Sequence, residues 1–75
     1  MKIEIFGKLT DIISPTFSPE FPVSNKGLQE LLIINYPDLK GLDFKVAVNH
    51  QIINDENYIL KEEDQVALLP PFSGG

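Results

Sequence analysis

The segment Gln65-Val66-Ala67-Leu68-Leu69 has apolar side chains on both of its faces. Successive side chains of a strand point to opposite sides, so Val66 and Leu68 share one face and Ala67 and Leu69 the other. A strand that is apolar on both sides belongs inside a sheet rather than at its edge. Pro70-Pro71 follows at once, and proline has no N–H with which to extend a ladder. The chain must therefore assemble a sheet around its last regular segment, and earlier segments have to return alongside it.

Those partners can be read upstream. Residues 2–6 alternate with period two, placing Ile3 and Ile5 towards a core, and Gly7 ends the run. Leu9, Ile12 and Ile13 stand at i, i+3 and i+4, which predicts a short helical turn broken by Ser14-Pro15. From Thr16 to Val23, Phe17, Phe21 and Val23 alternate, while Pro19 and Pro22 confine that stretch to an edge strand. Ser24 or Asn25 caps a helix from about Lys26 to Tyr36, with Leu28, Leu31 and Leu32 as its inner stripe. Ile33 and Ile34 extend the apolar surface, towards either the core margin or a contact face. Pro37 stops the helix, and residues 38–41 make the return.

Phe44, Val46 and Val48 predict a third strand, which turns at Asn49-His50 into a short strand at Gln51–Ile53. A polar loop follows at residues 54–57, then Tyr58-Ile59-Leu60 returns to the core and Lys61–Asp64 makes a charged turn. One main helix on a mixed sheet, with a short extra helix after the first strand, is an α+β arrangement. A β-grasp (ubiquitin-like) topology is expected, with the first and last strands as parallel neighbours in mid-sheet and the helix supplying the crossover. Residues 1–69 form the domain and residues 70–75 an extended C-terminal tail.

Composition narrows the function classes. With 75 residues the chain is near the lower limit for a single unstapled core, and 43% apolar content is enough to attempt one. The absence of cysteine excludes disulfides, thiolate metal sites and cysteine nucleophiles. Eleven acidic residues against six lysines, with no arginine, give a net charge of −5 and argue against binding a phosphate backbone. An acidic surface suits a basic protein partner, and equally suits solubility alone. No apolar run reaches membrane-spanning length, and the N-terminal residues lack signal-peptide anatomy. A cytoplasmic location is expected.

Side-chain chemistry is sparse. His50 stands alone at a strand end, without a second His or a Cys at ligand spacing, and reads as a turn or surface residue. Glu62-Glu63-Asp64, Asp55 and Glu56 read as solvated carboxylates. Gly7, Gly27 and Gly41 are isolated and fit no phosphate-binding loop. No metal-binding, permanent-cofactor or catalytic side-chain cluster is expected. The most available reactive group is the carboxylate after Gly74-Gly75.

Two glycines without Cβ atoms allow the backbone to enter a narrow channel. A carboxylate becomes an acyl donor only after activation, for example as an acyl-adenylate, and this chain lacks the parts to handle ATP. An activating enzyme is implied, after which sulfide, a thiol or an amine can capture the acyl group. From Pro70 to Gly75 an extended tail spans at most about 20 Å. Pro70-Pro71 holds it near polyproline geometry and lowers the ordering cost of insertion. Phe72 either anchors in the partner's channel or folds back on the domain; Ser73 completes the tail.

The stretch Leu60-Lys61-Glu62-Glu63-Asp64-Gln65-Val66-Ala67-Leu68-Leu69-Pro70-Pro71-Phe72-Ser73-Gly74-Gly75 resembles the C-terminal pattern of the molybdopterin synthase small subunit. That family consists of β-grasp sulfur carriers. Val46-Ala47-Val48-Asn49 is similar to the family's central strand and turn, and Leu28, Leu32 and Tyr36-Pro37 fall at family-like spacing. Thr10-Asp11, Ser14, Glu63 and Phe72 depart from the usual residues, at positions that bear on partner contacts rather than on the terminal glycines.

The resemblance implies a sulfur carrier of molybdenum cofactor biosynthesis. An E1-like adenylyltransferase would adenylate Gly75, and a sulfur donor protein would convert it to a thiocarboxylate. The tail, from Pro70, Pro71 and Phe72 through Ser73 and Gly74, would then enter the large synthase subunit. There Gly75 would donate sulfur to the cyclic pyranopterin precursor, with the catalytic side chains supplied by that subunit. Related readings are a carrier for thiamin thiazole, in which the proline pair is usually absent, and a ubiquitin-like modifier or interaction module.

Overall fold

The computed structural model describes residues 3–71. Strands β1 (Ile3–Ile5), β3 (Lys45–Val48), β4 (Gln51–Ile53) and β6 (Val66–Leu69) form a mixed sheet in the order β1-β6-β3-β4. Strands β2 (Val23–Ser24) and β5 (Ile59–Leu60) form a separate antiparallel pair. Helix α1 spans Asn25–Asn35, and short 3₁₀ helices occupy Gly7–Asp11 and Pro37–Leu39.

β6 lies inside the sheet, as its two apolar faces require, parallel to β1 and antiparallel to β3. Its inward residues Val66 and Leu68 meet Val46 and Val48 of β3 and Leu28 and Leu32 of α1 in one core that includes Leu9, Ile13, Leu39 and Leu60. Leu28, Leu32, Leu39, Leu60 and Leu68 are completely buried, each stabilising the fold by about 1.5–3 kcal/mol relative to an exposed side chain. Ile12 N–H and Ile13 N–H both donate to Leu9 carbonyl, closing the turn that the Leu9, Ile12, Ile13 spacing predicts.

Two expectations need correction. β1 is parallel to β6 but sits at the sheet's edge, not in its middle. The stretch 16–22 is not an edge strand; only Val23–Ser24 pairs, and its partner is β5. Pro15, Pro19 and Pro22 leave residues 15–22 with three fewer donors for a ladder. An open depression of about 400 Å³ remains beside β1, lined by Ile3, Ile5, Ile13 and Phe17 among others. Phe17 is held instead by packing edge-on against Tyr36, with ring centroids 5.8 Å apart.

The helix stripe is narrower than the spacing suggests. Leu28 and Leu32 are buried, Leu31 is half-buried, Ile33 packs on the core margin and Ile34 is 75% exposed. Ser24 is the cap: its hydroxyl accepts from Gly27 N–H at 2.9 Å. Asn25 is instead the one polar residue buried among the described residues. Its Nδ2 donates to the carbonyls of Ile53 (3.3 Å) and Asp55 (3.1 Å), and its Oδ1 accepts from Gln29 Nε2 (2.9 Å). Those bonds tie the start of α1 to the end of β4.

Candidate functional site: the open sheet face and the root of the tail

The helix packs on one face of the four-stranded sheet, and among the described residues no element covers the other. Alternation along β1, β6, β3 and β4 puts Glu4, Ala67, Leu69, Ala47 and Ile52 on that open side. With Phe6 they line a depression of about 500 Å³. Phe6 and Ile52 are each 44% exposed and stand together on this one face. Small side chains form the floor and large ones the walls, a shape that admits apolar groups from another protein. Phe6 and Leu69 belong to this face, whereas Ile33 and Ile34, the extra apolar residues of the helix, lie on α1.

β6 leads from this face into the proline pair, since Leu69 lines the depression and Pro70 is the next residue. Phe6 N–H donates to Leu68 carbonyl at 3.1 Å, continuing the β1–β6 pairing beyond Ile5. β6 ends at Leu69, and Pro70 and Pro71 follow outside any strand, both half-buried. Pro70 lies against Gly7, where a Cβ would come within 2.8 Å of Pro70 Cγ. Phe72, Ser73, Gly74 and Gly75 lie outside the described residues.

The opposite end of β6 is held by a polar clamp. Asn49 N–H donates to Gln65 carbonyl (2.8 Å), and Gln65 N–H donates to Asn49 Oδ1 (3.0 Å). Asn49 Nδ2 donates to Asp64 Oδ1 (3.1 Å), while Lys61 N–H donates to Asp64 Oδ2 (2.9 Å). The Lys61 backbone bond, with the Asn49 amide, holds the Asp64 carboxyl below the usual carboxylate range. Asn49 and His50 both adopt positive φ (51° and 72°) in a tight two-residue hairpin turn. His50 is therefore a turn residue, exposed at the rim of the open face.

Glu62 and Glu63 are exposed in the charged turn, and Asp55 spends one oxygen on Asn57 N–H at 2.9 Å. Among the described residues no group of three His, Asp or Glu side chains is placed to hold a metal ion, and no helix is long and apolar enough to cross a membrane. Asn49 turns β3 into β4 as expected, but its clamp on Gln65 and Asp64, the seat that Gly7 leaves for Pro70 and the Asn25 network were not read from the sequence. Only Asn49 carried a local signal, as an asparagine in a turn between two apolar runs.

Solved structures share this architecture. A molybdopterin converting factor, subunit 1, from Pyrococcus furiosus superposes with a TM-score of 0.76 at 18% identity over 95% of both chains. SAMP1 from Haloferax volcanii matches with a TM-score of 0.68 at 18% identity over 99% of this chain and 97% of its own. A chain of the complex of subunits 1 and 2 of molybdopterin-converting factor from Helicobacter pylori matches with a TM-score of 0.65 at 28% identity, covering 99% of this chain and 96% of that one. These neighbours place the fold in the β-grasp class. The model of the ThiS family matches residues 3–75. The chain belongs to the ThiS family and is a sulfur carrier of that type.

Proposed function

We propose that this carrier serves molybdenum cofactor biosynthesis as the small subunit of molybdopterin synthase, with Gly75 as the atom-carrying terminus. One observation carries the reading: interior strand β6 contributes Leu69 to an apolar depression on the sheet and runs directly into Pro70-Pro71, so a docking surface adjoins the root of the tail. The similarity at 28% identity to a chain from a complex of two converting-factor subunits supports a large-subunit partner. The chemistry follows from the carboxylate. A Gly75 oxygen attacks the α-phosphorus of ATP in an E1-like partner and releases pyrophosphate. A sulfide equivalent from a sulfur donor protein then displaces AMP, leaving a thiocarboxylate. In the large subunit its sulfur forms a C–S bond to a carbon of the pyranopterin precursor as a C–O bond there breaks and the oxygen leaves as water; a second water then hydrolyses the thioester, leaving a thiolate on the precursor and restoring the Gly75 carboxylate.

Incubation with ATP, sulfur donor and activating enzyme should raise the intact mass by the replacement of one oxygen with sulfur at Gly75. Deletion of Gly75 should stop molybdenum cofactor synthesis in cells. No mass change, or normal cofactor synthesis after the deletion, overturns the reading; loss of thiamin instead assigns the carrier to the thiazole branch.

A further inference from the structure

We infer that Gly7 is a positioning residue that aims the carrier tail by seating the ring of Pro70. The inference rests on the carrier reading above. Gly7 has φ +60°, a conformation that L side chains rarely adopt, and an added Cβ would stand 2.8 Å from Pro70 Cγ, 3.5 Å from Cδ and 3.6 Å from Cβ. Carbon atoms do not approach to 2.8 Å without something moving, so the question is which side yields.

Gly7 is the fixed side. The residue before it is bonded through Phe6 N–H to Leu68 carbonyl. Its own carbonyl accepts from Thr10 Oγ1 at 2.8 Å. Two residues later Leu9, only 1% exposed, anchors the 3₁₀ helix in the core. Pro70 has left the ladder and begins the tail. A side chain at position 7 therefore displaces the proline ring, and the displacement changes the direction in which the following residues leave the domain. The stiffness of Pro70-Pro71 carries that change outwards instead of absorbing it. In this geometry the absence of a Cβ at Gly7 fixes where the tail points, and the two prolines transmit the aim.

The test is a double-mutant cycle between Gly7→Val and Pro70→Ala in the full chain, with thiocarboxylate formation by the activating enzyme and sulfur donor as the readout. Gly7→Val is expected to lower kcat about tenfold or more, since a misplacement of about 1 Å can cost up to about 100-fold. Pro70→Ala removes Cγ, the atom that an added Cβ would meet at 2.8 Å, so in the double variant the part of the loss that comes from the collision should be recovered, while the part that comes from the φ of +60° at position 7 remains. A role confined to folding would instead lower thermal stability without this rescue. If Gly7→Val does not fold, Gly7→Ala enters the cycle with a smaller expected loss and the same rescue. Wild-type transfer by the position-7 variant, or losses that simply multiply, overturns the seat while leaving the carrier reading intact. Failure of the wild-type chain to acquire sulfur overturns the carrier reading and the aiming role with it.

Discussion

Ala47 of β3 and Ala67 of β6 stand directly opposite one another in the antiparallel register, and together they floor the open sheet face. Their neighbours along the strands, Val46, Val48, Val66 and Leu68, are in the core. The two alanines thus keep the open side shallow without weakening the packed side. A docking protein can approach the sheet closely here, with Phe6 and Ile52 as flanking apolar walls.

This predicts a separation of stability from binding at Ala67, which is only partly buried. Ala67→Arg should leave the thermal midpoint nearly unchanged, because the long side chain can reach water past the rim. It should weaken association with the large subunit proposed as its partner by about 30-fold or more, corresponding to the loss of roughly 2 kcal/mol expected at the centre of an interface. Calorimetric titration of the folded variant checks this. Unchanged affinity would remove the sheet face from the interface.

The N-terminus of α1 gives a prediction on stability alone. Ser24 Oγ accepts from Gly27 N–H at 2.9 Å, and an added Cβ at Gly27 would lie 3.0 Å from that same oxygen. Ser24→Ala should cost about 1 kcal/mol, equivalent to a fall in thermal midpoint of roughly 4–8 °C for a domain of this size. Gly27→Ala tests the crowding. If helix propensity alone ruled, alanine would stabilise the domain by up to about 1 kcal/mol; contact with the cap should cancel that gain. Thermal denaturation followed by circular dichroism distinguishes the two.

These elements show what was legible in the residues and why. Val66-Ala67-Leu68-Leu69 could be placed inside a sheet because burial on both faces leaves a direct mark on composition. Leu28 and Leu32 could be placed in the core because helical spacing is local. The edge position of β1 was not legible, since Ile3 and Ile5 alternate in the same way whether one or two strands flank them. The departure of residues 16–22 from the sheet was half legible: Pro19 and Pro22 signalled weak pairing, but not that Val23–Ser24 would pair with Ile59–Leu60 instead. The seating of Pro70 on Gly7 joins residues far apart in the chain through a contact defined by a missing atom, and no local pattern encodes it.

Asn25 offers a sharper stability test than the cap. It is 1% exposed, and its side chain bonds the carbonyls of Ile53 and Asp55 and the Gln29 amide. Asn25→Ala removes three hydrogen bonds and leaves their partners to find others. At about 1 kcal/mol net for each bond, the loss should reach roughly 2–4 kcal/mol, read from the urea midpoint. Asn25→Asp should be at least as damaging at neutral pH, because an anion replaces a double donor beside two carbonyl oxygens. A loss below about 0.5 kcal/mol, the scale of an ordinary surface substitution, would show that the network does not hold α1 to β4.

The Asp64 clamp makes stability depend on acid. The backbone bond from Lys61, then the Asn49 amide, lowers its folded pKa below the unfolded value. In unfolding, the unfolded state then takes up its proton first as pH falls, so the stabilisation is fully present above the unfolded value near pH 4 and is lost as pH drops through the folded one. Asp64→Asn should flatten that part of the stability profile below about pH 4 while leaving the neutral-to-alkaline limb parallel to wild type. Urea titrations at a series of pH values measure it. A profile for Asp64→Asn with the same acid slope as wild type would assign the slope to other carboxylates.

Phe72 separates the two fates open to the tail. Pro70, packed on Gly7, and Pro71 restrict the chain that leads to it. If Phe72 is an anchor in the partner's channel, Phe72→Ala removes a large apolar contact from the complex and nothing from the free domain. Association with the large subunit should weaken by about 30-fold, on the scale of an aromatic hot spot near 2 kcal/mol. The free domain's thermal midpoint should move by less than about 2 °C, within the shift caused by a surface change of up to 0.5 kcal/mol. The two measurements must be made on the same preparation, because the comparison is what decides. A fall in thermal midpoint with unchanged affinity would place Phe72 against its own domain, and the open face would then be covered by the tail until a partner displaced it.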